Sequence, residues 1–101
     1  MDDFLEFITI TEEENRRGTM IKTNKYRQVF ADKKSIRQSE FYQARASELK
    51  PEIMFEVWSL DYKNEEKLKF KNEEYKVIRT YEKDNEKTEI VATRVARNEV
   101  V

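Results

Sequence analysis

Ile53-Met54-Phe55-Glu56-Val57-Trp58 is the stretch whose reading decides the fold. β-Branched and aromatic residues dominate it, and such residues suit a pleated, half-buried surface. It reads as a strand from Glu52 to Leu60, directly after Pro51, the only proline of the chain. Proline disfavours the helical region for the residue before it, so any helix upstream ends at Lys50. Downstream, Asp61 to Glu66 reads as a polar turn, Lys67 to Phe70 as a short strand, and Lys71-Asn72-Glu73-Glu74 as a tight turn. Glu74 to Tyr81 and Lys87 to Val95 then pair as a hairpin across Lys83-Asp84-Asn85-Glu86. The tail Ala96 to Val101 frays or adds to an edge.

Working toward the N-terminus, Ser35-Ile36-Arg37-Gln38 has the spacing of a capping box, and Ser39 is an equal candidate for the cap. One amphipathic helix follows as far as Leu49. Phe41, Ala44 and Leu49 form its apolar stripe, and Glu40, Gln43, Arg45 and Glu48 its other face. A helix of about three turns needs tertiary packing to persist. Tyr26 to Lys34 reads as a strand, with Tyr26, Gln28 and Phe30 opposite Val29 and Ala31. Phe4 to Ile10 is another, with Leu5, Phe7 and Thr9 on one side and Glu6, Ile8 and Ile10 on the other. Both of its faces carry apolar groups. That suits a barrel core on one side with a neighbour on the other, or equally a strand covered by the helix.

Thr11 to Asn24 lacks apolar periodicity, carries both signs of charge, and holds the only glycine, Gly18. It reads as a long flexible loop between the first two strands, with Gly18 near its tip. Connections longer than about a dozen residues are uncommon in compact domains and tend to be functional or disordered. The expected architecture is mainly β with one helix: a small antiparallel β-barrel or sandwich, one domain over residues 1–101. With a single glycine, the turns must rely on asparagine, and Asn64, Asn72 and Asn85 stand where a left-handed residue is wanted.

Composition removes several function classes. Cysteine and histidine are both absent, which excludes disulfides, thiolate or imidazole zinc sites and Ser-His-Asp chemistry. One glycine cannot make a phosphate-cradling Gly-rich loop. Charged residues make up 41% of the chain, yet Lys+Arg 20 against Asp+Glu 21 gives a formal net charge of -1. So balanced a surface suits other proteins better than a polyanion. No stretch has the length of a membrane-spanning helix, and Met1-Asp2-Asp3 lacks the basic start of a secretion signal, so an intracellular soluble product is expected. Glu12 to Glu14, Glu65-Glu66 and Glu73-Glu74 lie in turns among lysines, where nothing separates their pKa values for acid-base work. No catalytic, metal or cofactor site is expected. Trp58, Tyr62, Tyr75, Tyr81, Arg79 and Lys76 would be the candidates for a single-strand nucleic-acid platform, against a plain reading as core and rim packing.

Three motifs, in order, carry a resemblance: Ser39-Glu40-Phe41-Tyr42-Gln43-Ala44, Lys50-Pro51-Glu52, and Ile78-Arg79-Thr80-Tyr81. From Val29 to Val91 the chain resembles the head-tail joining proteins of long-tailed bacteriophages, also called head-closure or stopper proteins. In the turn Lys71-Asn72-Glu73-Glu74, Glu73 departs from the Asn-Gly-Lys usual there, placing glutamate where positive φ is expected. The resemblance implies a non-enzymatic virion protein, assembled in the bacterial host cytoplasm, that forms a homo-oligomeric ring between the capsid connector and the tail. The ring closes or gates the DNA exit channel after packaging. Its partners would be copies of itself, the connector, adaptor and portal rings, tail proteins, and double-stranded DNA in the lumen, with no membrane and no cofactor. In similar proteins the long loop projects toward the channel, where loops of successive subunits meet by strand addition. By position this assigns Glu12, Glu13, Glu14, Arg16, Arg17, Gly18 and Lys22 to a channel loop. Glu40, Tyr42, Gln43, Arg45, Arg79 and Tyr81 are the candidates for subunit or connector contacts, each with an ordinary surface role as the alternative. A small nucleic-acid-binding barrel is the rival reading.

Overall fold

A computed structural model describes residues 2–37 and 50–95. Six antiparallel strands close into a barrel: β1 (Asp3–Glu14), β2 (Met20–Lys34), β3 (Ile53–Trp58), β4 (Lys67–Phe70), β5 (Glu73–Glu82) and β6 (Lys87–Arg94). Around the barrel the order is β1-β2-β3-β6-β5-β4. A single 3-10 turn, Ser59–Asp61, leads from β3 toward β4. The expected class needs correction on one point. The described residues are all β, with no α-helix among them, and the expected helix from Ser39 to Leu49 lies outside the described residues. Of the two architectures expected, barrel or sandwich, the closed barrel is the one found.

Alternation along the strands builds the core. Leu5 and Phe7, Val29 and Ala31, Ile53, Phe55 and Val57, Leu68 and Phe70, Tyr75, and Ile90 and Ala92 all point inward. Phe55 is fully buried and meets Phe70 edge-on, with ring centroids 4.9 Å apart. That geometry favours aromatic pairs beyond simple area burial. Glu52 extends the β3–β6 ladder, its amide donating to the Ala92 carbonyl at 3.0 Å.

The turns show which residues tolerate positive φ. Lys71 and Asn72, at φ 48° and 65°, form a two-residue link between β4 and β5. Positive φ at both central positions is the hairpin geometry that matches strand twist. Glu73 is therefore not the strained residue: it pairs with Phe70 as the first residue of β5, and the lysine carries the unusual conformation instead. Asn64 also takes positive φ, at 64°. Asn85 is not among the positive-φ residues. There Asp84 closes the turn, its Oδ1 accepting from the Glu86 and Lys87 amides at 2.7 and 2.9 Å.

Candidate assembly surfaces: a hairpin arm and a carboxylate face

The stretch from Thr11 to Asn24 is not a loop. β1 and β2 stay in register from Asp3↔Ala31 to Glu14↔Met20. β4 pairs with β1 only at Glu6 to Ile8, and β3 with β2 only at Asp32 to Lys34. The six rows from Thr9↔Lys25 to Glu14↔Met20 thus run on as a two-stranded arm, about 20 Å long at the usual rise per residue. The link is short and specific. Asn15 accepts at Oδ1 from the Arg17 and Thr19 amides at 2.8 and 2.9 Å, and its carbonyl accepts from Gly18 N at 3.0 Å. Gly18 sits at φ +79°, where a Cβ would also stand 3.5 Å from Glu14 Oε1. A three-residue link ending in a left-handed glycine is a common hairpin closure. Gly18→Ala should cost about 1 kcal/mol of local arm stability and leave the global melting temperature nearly unchanged by circular dichroism.

Every residue expected in the channel loop lies on this arm. Glu12, Glu13 and Glu14 end β1, Arg16, Arg17 and Gly18 make the turn, and Lys22 lies on β2. Glu12 and Lys22 face each other and form an exposed ion pair at 3.8 Å. The two edges differ in sign, with Glu12 to Glu14 on the β1 side and Lys22 and Lys25 on the β2 side. A two-stranded ribbon is marginally stable in water by itself. Amides of residues 11–14 and 20–23 should therefore exchange with deuterium orders of magnitude faster than those of 53–57 and 88–92.

Where the arm leaves the barrel, an open groove of about 540 Å³ is lined by Ile8, Thr9, Ile10, Arg27, and residues 63–67. The Arg27–Glu65 ion pair stands in it, and the Glu65 side chain is only 7% exposed. Burial raises the Glu65 pKa, but hydrogen bonds from Arg27 and the Lys63 amide outweigh it, and the net direction is down. Tyr62 buttresses the groove from behind, packed on Phe7 at 5.3 Å and donating to the Glu65 carbonyl at 3.0 Å.

A second surface lies on the outer face of β3, β6 and β5. Met54 and Val91, cross-strand partners, are buried there although they point away from the core. So are Glu56 and Glu89, which face each other across β3 and β6 at 2% and 4% exposure. Two adjacent buried carboxylates need cations. Lys83 Nζ donates to Glu56 at 3.0 Å, with Lys87 Nζ at 3.6 Å. Arg37 Nη2 donates to both oxygens of Glu89, at 2.6 and 2.7 Å. Burial pushes the Glu56 pKa up, yet the Lys83 hydrogen bond and the charges of Lys83, Lys34 and Lys87 bring it below the ordinary value. Glu52 is lowered as well, chiefly by hydrogen bonds from the Arg94 amide and the Thr93 hydroxyl.

These directions set an acid limit. Glu52, Glu56 and Glu65 each have a folded-state pKa below the unfolded one. Their contribution is full above the unfolded value of about 4.3 and is lost as pH falls through the folded-state values. With no histidine in the chain, the melting temperature should be flat from about pH 6 to 8 and fall steeply below about pH 4. A scan of thermal denaturation against pH checks this.

Arg79 and Tyr81 lie on this second surface, on β5, with the guanidinium 4.7 Å from the tyrosine ring centroid. Arg79 pairs with Val91 and Tyr81 with Glu89, so both border the buried carboxylates. Glu40, Tyr42, Gln43 and Arg45 lie outside the described residues. The residues considered for a nucleic-acid platform are dispersed. Tyr75 is in the core, Tyr62 is half-buried on Phe7, and Trp58 lies beneath the Lys87 ammonium at 5.3 Å. Two groups escaped the reading of the sequence. Glu56 and Glu89 look like ordinary outward positions of strands, and only the register brings them together. Phe4 and Phe30 are the other omission, a tilted ring pair on the outside of the barrel. Both stand at outward positions of the alternation, where a phenylalanine is itself the signal.

Among the described residues, no acidic cluster is placed to hold a metal ion, and no helix is long and apolar enough to cross a membrane. Neither models of known protein families nor curated proteins yield a match to this chain.

Proposed function

We propose that this chain is a head-tail joining protein, assembled as a cyclic ring between capsid connector and tail, which closes or gates the DNA exit channel. The observation that carries the reading is the arm. A closed barrel projects a six-row hairpin from the position that the resemblance gives to the channel loop. The barrel is the rigid wall segment. A ring requires heterologous contacts that close by rotation, and the arm has two edges of opposite sign for such contacts. Strand addition uses main-chain groups, so neighbouring arms can pair without particular side chains. Arg16 and Arg17 at the tip are the cations that would meet DNA phosphate. Arg79 and Tyr81, which border the buried carboxylates, are the candidate contacts with a neighbouring subunit or the connector.

Mixing the purified chain with connector rings encoded by the same genome tests the proposal. Co-migration in a ring-sized complex is the expected result, with DNA binding at low salt staying weak. Tight DNA binding that collapses steeply with salt, with no association with connector rings, would contradict it and favour a nucleic-acid-binding barrel.

A further inference from the structure

The outward face of the β1–β2 ribbon carries more apolar surface than a solvated sheet face needs. Reading the rows outward along the ribbon, it presents Phe4 beside Phe30, Glu6 beside Gln28, Ile8 beside Tyr26, Ile10 beside Asn24, Glu12 beside Lys22, and Glu14 beside Met20. Phe4, Phe30, Tyr26, Ile10 and Met20 are 49%, 52%, 49%, 51% and 56% exposed, whereas Ile8 is already buried at 4%. The Phe4 and Phe30 rings lie 4.8 Å apart, tilted by 38°, and Lys69 Nζ lies 5.6 Å from the Tyr26 ring centroid. The opposite face of the arm is mostly polar, with Thr9, Lys25, Thr11, Thr23 and Glu13, and Ile21 as its one large apolar residue. The ribbon is therefore amphipathic, and its apolar side is the one without a described covering.

We propose that a second copy of this chain covers that face, two ribbons packing face to face about a two-fold axis parallel to the strands. Such an axis lays β1 of one copy over β2 of the other, row on row. Phe4 then meets Phe30 of the second copy, Ile10 meets Asn24, and Glu12 meets Lys22, each contact occurring twice, as an isologous interface demands. No row opposes like charges. Twist keeps facing sheets about 30° from parallel, so the rows from Phe4–Phe30 to Ile10–Asn24 touch closely. The Glu12–Lys22 row then forms a charged rim. A two-strand face of this length buries on the order of 1,000 Å² in total, the lower end for specific complexes, so the dimer is weak and reversible.

This pairing does not depend on the ring. A cyclic ring uses heterologous contacts, so the two-fold dimer is a state of the chain outside it, in which the apolar face is shielded.

Sedimentation velocity of the full chain over a range of concentrations tests the idea. A reversible monomer–dimer equilibrium is expected, with half-dissociation in the micromolar range or weaker. Phe30→Glu should weaken it at least tenfold while leaving the melting curve intact, since Phe30 is half exposed. Charge reversal supplies the specific check. Glu12→Lys alone and Lys22→Glu alone should each lose dimer, and their mixture should recover it as a heterodimer. A chain that stays monomeric up to millimolar concentration overturns the proposal. So does a dimer indifferent to Phe30→Glu, which would mean that the copies meet through strand edges or another surface.

Discussion

Cutting the arm back to the barrel should leave the melting temperature within a few degrees of the parent and abolish DNA retention by tailless heads. The variant removes Thr11 to Thr23 and joins Ile10 to Asn24 through Asn-Gly, a two-residue link suited to a hairpin. Those rows contribute no side chain to the core cluster. Loop-closure entropy also depends only weakly on the length removed. Folding and function are thereby separated: circular dichroism reports the barrel, and nuclease sensitivity of DNA in heads lacking tails reports the gate. Full protection of the DNA with the shortened arm would remove the gating role while sparing the ring.

Phe55→Ala has the opposite profile. Phe55 has no exposure and packs in the middle of β3 against Phe70. Truncating a buried phenylalanine costs about 3–5 kcal/mol through lost burial and the remaining cavity. A domain of this size has about 5–15 kcal/mol in total, so the variant should keep only a fraction of its stability. At roughly 4–8 °C per kcal/mol, its melting temperature falls by well over 10 °C. Urea unfolding at pH 7 measures the difference, and a loss below about 1 kcal/mol would mean that the barrel interior is not packed as described. Phe30→Glu is the built-in comparison, since it changes a phenylalanine of the same β-barrel that points outward.

What could be read from residues follows the physics of each segment. All six strands announce themselves through alternation or β-branched runs, and Ile53 to Trp58 does so most clearly because its core residues stand at every second position. The arm hides for a specific reason. Glu12, Glu13 and Glu14 are poor strand formers and have no apolar period, so pattern favours a loop. The opposing signal was present in weaker form: threonine at 9, 11 and 23, and Asn15 to Gly18 as a hairpin link. Pairing to a partner strand overrides propensity, and pairing is not visible in one segment alone. Glu73 was misread for a similar reason, since a one-residue shift in the turn moved the positive φ onto Lys71 and Asn72. The buried carboxylates were illegible because Glu56 and Glu89, 33 positions apart in the sequence, become neighbours only through the β3–β6 register. The functional proposal rests on the order of the motifs and not on a chemical signature.

Electron cryo-microscopy of connector rings saturated with this chain tests the central claim most directly. The account predicts a cyclic ring of barrels on the connector's exit side, with density for the hairpin arms directed into the lumen. Bare connector rings, or barrels attached with their arms directed away from the channel, would contradict it.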